Sequence, residues 1–93
     1  MQQITQTKLN KYIHITKQAL AKIQEAHKDK PLSKQAKTIL DMAQRYFDDA
    51  QHFKQKREYV NAFACINYAH GWLDAGATLG LFDVHDSKLF TVD

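Results

Sequence analysis

Apolar residues recur every three or four positions in three long segments of the chain. This spacing places the apolar side chains on one side of an α-helix. The three segments predict helices over about residues 7–28, 34–55 and 59–80. Short connections between helices of similar length favour an antiparallel arrangement. We therefore expect one domain over residues 1–93, an all-α, three-helix up-and-down antiparallel bundle in which a short tail, residues 81–93, packs back on the helices.

Local signals mark the ends of these helices. Pro31 disfavours helical geometry at the residue before it, and the Ser33 hydroxyl can accept a free backbone N–H at the start of the second helix. Gly80 is the type of residue that ends a helix. Between residues 54 and 58 the apolar period lapses in a run of charge, which predicts a tight loop without Gly or Pro.

The core is expected where the three apolar stripes meet. Its predicted members are Leu9, Ile13, Leu20, Ile23, Ile39, Ala43, Tyr46, Ala50, Phe53, Ala62, Ile66, Ala69 and Leu73.

The third helix is apolar around about two thirds of its circumference, which is more than two neighbouring helices cover. We expect the tail to cover the excess, and a symmetric dimer is the second explanation. The strip in question holds Asn61, Cys65, Tyr68, Trp72, Ala75 and Leu79. The apolar tail residues available to cover it are Phe82, Val84, Leu89, Phe90 and Val92.

Composition and charge narrow the function classes. With 44% apolar and 25% charged residues, the chain is typical of a folded domain. Residues 1–33 carry a net charge of +4, residues 34–58 carry +2 and residues 59–93 carry −3. The basic part leaves an RNA-associated role open, although its lysines spread around a helix as on a solvated surface.

Several sites are disfavoured by residue counts. The single cysteine, Cys65, excludes an intrachain disulfide and a cysteine-based zinc site. No apolar stretch approaches the roughly 18 residues of a membrane span, and the N-terminus lacks the order of a signal peptide, so we expect a cytoplasmic protein without a membrane partner.

Candidate functional residues cluster on the third helix. His70 and Asp74 are four residues apart, so they share one side of the helix. Asn67, Tyr68 and Trp72 lie near them, and Thr38, Asp41 and Met42 are expected opposite. These five residues of the third helix, Asn67, Tyr68, His70, Trp72 and Asp74, are the predicted binding candidates.

Two further residue patterns are weaker indications of a functional site. Asp49 with His52 and His70 with Asp74 could each ligate a metal, but the two pairs are about 15 Å apart along the bundle, too far for one ion. The spacing of Arg45 and His52 is similar to that of helical ribonucleases of the HEPN type, yet the pair lies on a solvent face. We predict no catalytic residue, no metal and no cofactor.

Four segments together resemble a known family. They are YFDDA at 46–50, EYVNA at 58–62, YAHGWLDAG at 68–76 and LGLF at 79–82. They are similar to the archaeal family catalogued as domain of unknown function 357, over about residues 32–92. Where such sequences tend to have Gly-Asp in the second turn, this chain has Arg57-Glu58.

The resemblance implies a cytoplasmic archaeal protein with a left-handed three-helix bundle and no established activity. It also implies relatives attached to nucleotidyltransferase-like domains. We therefore expect a non-enzymatic interaction or accessory module, acting beside a nucleotide-handling enzyme or binding a protein partner or a second copy through the third helix. An RNA-associated role is the first alternative, and an enzyme or metal site centred on His70 and Asp74 is the second.

Overall fold

The structure, a computed structural model, describes residues 5–91 and contains three long helices. They are α1 (Gln6–Ala26), α2 (Lys34–Gln55) and α3 (Tyr59–Thr78). No strand occurs within the described range. The all-α, three-helix prediction is therefore confirmed. The bounds of α2 are as predicted, whereas α1 and α3 each end two residues earlier than expected.

Polar side chains cap the N-termini of the first two helices. Thr5 Oγ1 accepts the backbone N–H of Lys8 at 3.1 Å at the start of α1. Ser33 Oγ accepts the N–H of Ala36 at 3.0 Å at the start of α2, as predicted. Each bond satisfies a backbone donor that has no partner inside its helix.

The second turn is tight because α2 ends in a Schellman motif. The N–H of Glu58 donates to the carbonyl of Phe53, and the N–H of Arg57 donates to that of Lys54, both at 2.9 Å. This motif requires a left-handed residue after the cap. Arg57 takes that conformation with φ of 60°. The Arg therefore occupies a position that glycine adopts more readily.

Helix α3 ends in the same motif, here with glycine. The N–H of Leu81 donates to the carbonyl of Gly76 at 2.9 Å, and the N–H of Gly80 donates to that of Ala77 at 3.1 Å. Gly80 has φ of 72°. The prediction that Gly80 ends the helix is confirmed.

The core lies along α3, which packs tightly against α2 on one side and against α1 on the other. Most of the predicted core is buried, but Ile13, Ile39, Tyr46 and Phe53 are only half-buried. Several buried residues lie outside that prediction. They are Thr16, Ala19, Ala36, Phe47, Ala77, Phe82, Val84 and Phe90.

The tail packs back on the bundle, but on the side opposite to the predicted one. Phe82, Val84 and Phe90 are buried. The Phe82 ring lies directly over Gly76 of α3. Val92, which was expected to help cover the α3 strip, lies outside the described residues. The described tail runs along the junction of α1 and α3, so it leaves the Tyr68–Trp72 side of α3 uncovered.

Candidate binding face on the third helix

The contacts of α3 divide its circumference into a covered part and an uncovered part. Phe63 meets Tyr12 of α1 edge to face, with ring centroids 5.3 Å apart. Tyr68 stacks on Tyr46 of α2 at 5.2 Å with an interplanar angle of 19°. Since successive residues are 100° apart on a helix, the part between these two contacts, opposite the core, faces outward.

We call this part the outward face of α3. Its members are Val60, Asn61, Ala64, Asn67, Tyr68, Gly71, Ala75 and Leu79, and none of them carries a charge. Asp74 and Thr78 lie at the edge of this face and bond the tail. Three of its large side chains are strongly exposed, Val60 at 68%, Tyr68 at 63% and Leu79 at 71%. An uncharged surface running the length of a 20-residue helix is unusual for a protein surface, where charged side chains predominate.

A groove runs along the middle of the outward face at its border with α2. It has a volume of about 620 Å³ and is mainly apolar. Its lining residues are Tyr46, Ala64, Asn67, Tyr68, Gly71 and Trp72. Aromatic walls with a few polar groups are typical of binding surfaces in proteins.

A second groove continues the face toward the tail end of α3. It has a volume of about 680 Å³. The residues that line it are Lys34, Gln35, Thr38, Ile39, Leu79 and Leu81. Apolar surface therefore extends along the α2–α3 pair on the side away from α1.

Cys65 is half-buried on α3 and is not an activated nucleophile. Burial raises the pKa of its thiol, and the nearby Asp49 carboxylate raises that pKa further. Because the thiolate is the reactive form, both effects lower the reactivity of the sulfur at neutral pH.

His70 is part of a structural contact between α1, α3 and the tail. Its Nδ1 lies 3.0 Å from Thr16 Oγ1, and its Nε2 lies 2.6 Å from the carbonyl oxygen of Leu89. A carbonyl only accepts, so in the neutral ring Nε2–H donates to Leu89 and Nδ1 accepts from the Thr16 hydroxyl. The expectation that His70 lies opposite Thr38, Asp41 and Met42 is therefore wrong.

Asp74 holds the end of the described tail. Its Oδ1 accepts the N–H of Thr91 at 2.8 Å and lies 3.6 Å from His70 Nε2. One turn later, the Thr78 hydroxyl donates to the carbonyl of Thr91 at 2.8 Å. Asp74 and Thr78 thus satisfy the backbone of an irregular segment.

The structure divides the five predicted binding candidates between two surfaces. Asn67, Tyr68 and Trp72 line the central groove together, whereas His70 and Asp74 face α1 and the tail. Tyr46, Ala64 and Gly71 complete the groove and were not among the candidates. Gly71 carried a signal in the sequence, because a glycine inside a helix needs a reason.

The other sequence candidates lie at the surface. Arg45 Nε forms an exposed ion pair with Asp41 at 3.0 Å, and His52 is exposed beside Phe53. Within residues 5–91, no group of three or more His, Cys, Asp or Glu side chains could hold a metal ion. In the same range, no helix has both the length and the hydropathy that a bilayer span requires.

Comparison with known proteins matches this chain to a protein family. A family model described as "Protein of unknown function (DUF357)" matches residues 11–82, well over half of the chain. No curated protein and no solved structure matches.

Proposed function

We propose that this chain, which belongs to the family described as protein of unknown function (DUF357), is a non-enzymatic interaction module that binds another protein chain through the outward face of α3. The observation that carries the proposal is the face itself, which is uncharged over its length and exposes Val60, Tyr68 and Leu79. Large apolar side chains left exposed together on one face are characteristic of protein-binding sites.

The chemistry of the face favours a protein over a nucleic acid. Nucleic acids are bound largely through phosphate contacts, and these require Lys or Arg. The outward face offers neither, whereas Tyr68 and the neighbouring Trp72 belong to the residue types that contribute most to protein interfaces.

The reactive side chains near the face support a non-enzymatic role. The Cys65 thiol has a raised pKa. Both ring nitrogens of His70 are engaged by Thr16 and Leu89. An acid, base or nucleophile needs a free atom directed at a substrate, and these groups are either neutral or occupied.

The experiment compares two variants that introduce the same charge on different surfaces. Tyr68→Glu places a carboxylate on the outward face, and Gln24→Glu places one on the exposed side of α1. Wild-type protein and both variants are immobilised, exposed to extract of the native cell and compared for retained chains, with circular dichroism as the control for folding. Each protein chain retained from the extract, and this protein itself if it is retained, is then purified. Its binding to the wild type and to each of the two variants is measured by titration.

We expect at least one chain that binds the wild type and Gln24→Glu equally and binds Tyr68→Glu at least tenfold more weakly. A nucleotide-handling enzyme among these chains would identify the accessory role that the family resemblance implies. Equal binding of every purified chain to wild type and Tyr68→Glu would refute the proposed face.

A further inference from the structure

We infer that the chain bound by the outward face is a second copy of this protein, with the two α3 helices packed antiparallel about a twofold axis between residues 69 and 70. The inference rests on the proposed function, because it identifies the partner of the same face. A twofold interface uses one surface on both chains, so that surface must be complementary to itself.

The order of residues along α3 has this self-complementarity. In an antiparallel pair whose twofold axis passes between residues 69 and 70, a residue of one copy faces a residue of the other copy. The two are equally distant in sequence from the axis, one before it and one after it. Val60 then faces Leu79 of the second copy, and Ala64 faces Ala75. Large exposed side chains thus meet at the two ends, and small ones meet between them.

Gly71 supplies the space that such a pair needs at its centre. The same register places Tyr68 of one copy over Gly71 of the other. A Cβ at Gly71 would meet no atom of residues 5–91 within 4 Å, and its φ is not positive. Glycine inside a helix costs about 1 kcal/mol relative to alanine. No contact of Gly71 with the described residues accounts for that cost, whereas an incoming aromatic ring does.

The polar groups of the face can also pair with themselves. They are the side chains of Asn61, Asn67 and Tyr68. Each amide or hydroxyl both donates and accepts hydrogen bonds, so two identical faces can satisfy one another. The outward face itself contributes no charge to the contact, which avoids the largest cost of closing an interface.

The size of the face fits a second copy better than a peptide. Helix α3 is about 30 Å long and the α2–α3 pair is about 20 Å wide, which gives a footprint of about 600 Å² per chain. Two copies would bury about 1,200 Å² in total, at the lower end of the range of specific dimers. One extended peptide is about 5 Å wide and would cover about a quarter of this surface.

The first experiment measures the mass of the protein in solution across a concentration series. We expect wild-type protein to approach twice its chain mass of 10.8 kDa as concentration rises. Gly71→Leu fills the central space and should stay monomeric at concentrations at which the wild type is dimeric. Gln24→Leu, which adds the same side chain to the exposed side of α1, should behave as wild type.

The second experiment tests the antiparallel register by disulfide formation. Ala64→Cys and Ala75→Cys are made separately, each in a Cys65→Ala background. Mild oxidation of the mixture should give a cross-linked pair containing one chain of each variant, while either variant alone should remain uncross-linked. Cross-linking of each variant to itself would indicate a parallel pair and overturn the proposed register.

The outcomes separate this inference from the proposed function. A wild-type chain that stays monomeric at millimolar concentration refutes the second copy as partner. If such a monomer still binds another purified chain in a manner that Tyr68→Glu abolishes, the proposed function stands and only the partner is wrong. If the Gly71→Leu variant still dimerises as the wild type does, the dimer contact lies elsewhere, and this result also refutes the inference.

Discussion

Arg57 and Gly80 occupy equivalent positions at the ends of α2 and α3. Both have positive φ, 60° and 72°, and both follow the cap of a helix that ends in a Schellman motif. A side chain in this left-handed region costs about 1 kcal/mol, which glycine avoids. The two positions therefore form a natural pair for testing the cost of one conformation.

We predict that Arg57→Gly stabilises the protein by about 1 kcal/mol and that Gly80→Ala destabilises it by a similar amount. Urea unfolding followed by circular dichroism measures both. Arg57→Ala serves as the control that removes the charge and keeps the Cβ. An equal gain from Arg57→Ala would show that the side chain, and not the backbone conformation, accounts for the effect.

Cys65 allows a second test at the residue scale. Burial, followed by the Asp49 charge, raises the pKa of its thiol, so little thiolate is present at neutral pH. We predict alkylation by iodoacetamide at pH 7.5 that is slower than that of a cysteine peptide, with a rate that rises as the pH increases toward the raised pKa.

Asp49→Asn removes the second cause and should speed the reaction moderately, because the pKa falls while the thiol stays partly buried. Asp48→Asn is the matched control, since the Asp48 carboxylate instead accepts a hydrogen bond from Gln44 Nε2 at 3.0 Å. If both variants react alike, Asp49 does not influence the sulfur.

At the scale of the helix, two glycines of α3 have different environments. Gly71 faces open space, whereas a Cβ at Gly76 would overlap the Phe82 ring. We predict that Gly76→Ala destabilises the protein by about 1 to 3 kcal/mol through overpacking, although alanine favours helix formation. Gly71→Ala, measured at concentrations at which the chain is monomeric, should instead stabilise it. Thermal unfolding of the two variants compares them directly, and a gain from Gly76→Ala would mean that Phe82 does not pack there.

The sequence was sufficient for the helices because periodic apolar positions and local caps such as Ser33 encode them directly. It was not sufficient for the position of the tail. The apolar pattern alone predicted that the tail covers the Tyr68–Trp72 strip. In the structure the tail instead lies where Asp74 and Thr78 form hydrogen bonds with the backbone of Thr91. An irregular segment must satisfy its own N–H and C=O groups, and periodicity does not report where their partners are.

The candidate site could also be predicted only in part from the sequence. Tyr68 and Trp72 could be proposed from the excess of apolar surface, and they lie in one groove. His70 and Asp74 were grouped with them because residues close in sequence were assumed to share a surface. On a helix, neighbours one or two positions apart face different directions, and only the contacts with Thr16 and Thr91 establish which way these two point.

The whole molecule is elongated, with extents of 43 × 23 × 18 Å and a radius of gyration of 13.4 Å. Its tail and its uncovered face lie on different sides of α3. We predict that deleting residues 83–93 lowers the midpoint of urea unfolding, because Val84 and Phe90 are buried. The emission maximum of Trp72 in the folded protein should not change. A red shift would mean that the tail covers the tryptophan.

The attachment of α1 has a consequence for how the molecule opens. Helix α1 contacts α2 little, and side chains attach it to α3, Tyr12 to Phe63 and Thr16 to His70. The tail takes part in this attachment, because Asp83 donates its N–H to Nε2 of His27, the C-cap of α1, at 2.9 Å and Leu89 accepts from the His70 ring. In native-state hydrogen exchange, α1 and the tail should therefore open together as one cooperative unit, at lower free energy than the α2–α3 hairpin, whose amides would exchange only on global unfolding.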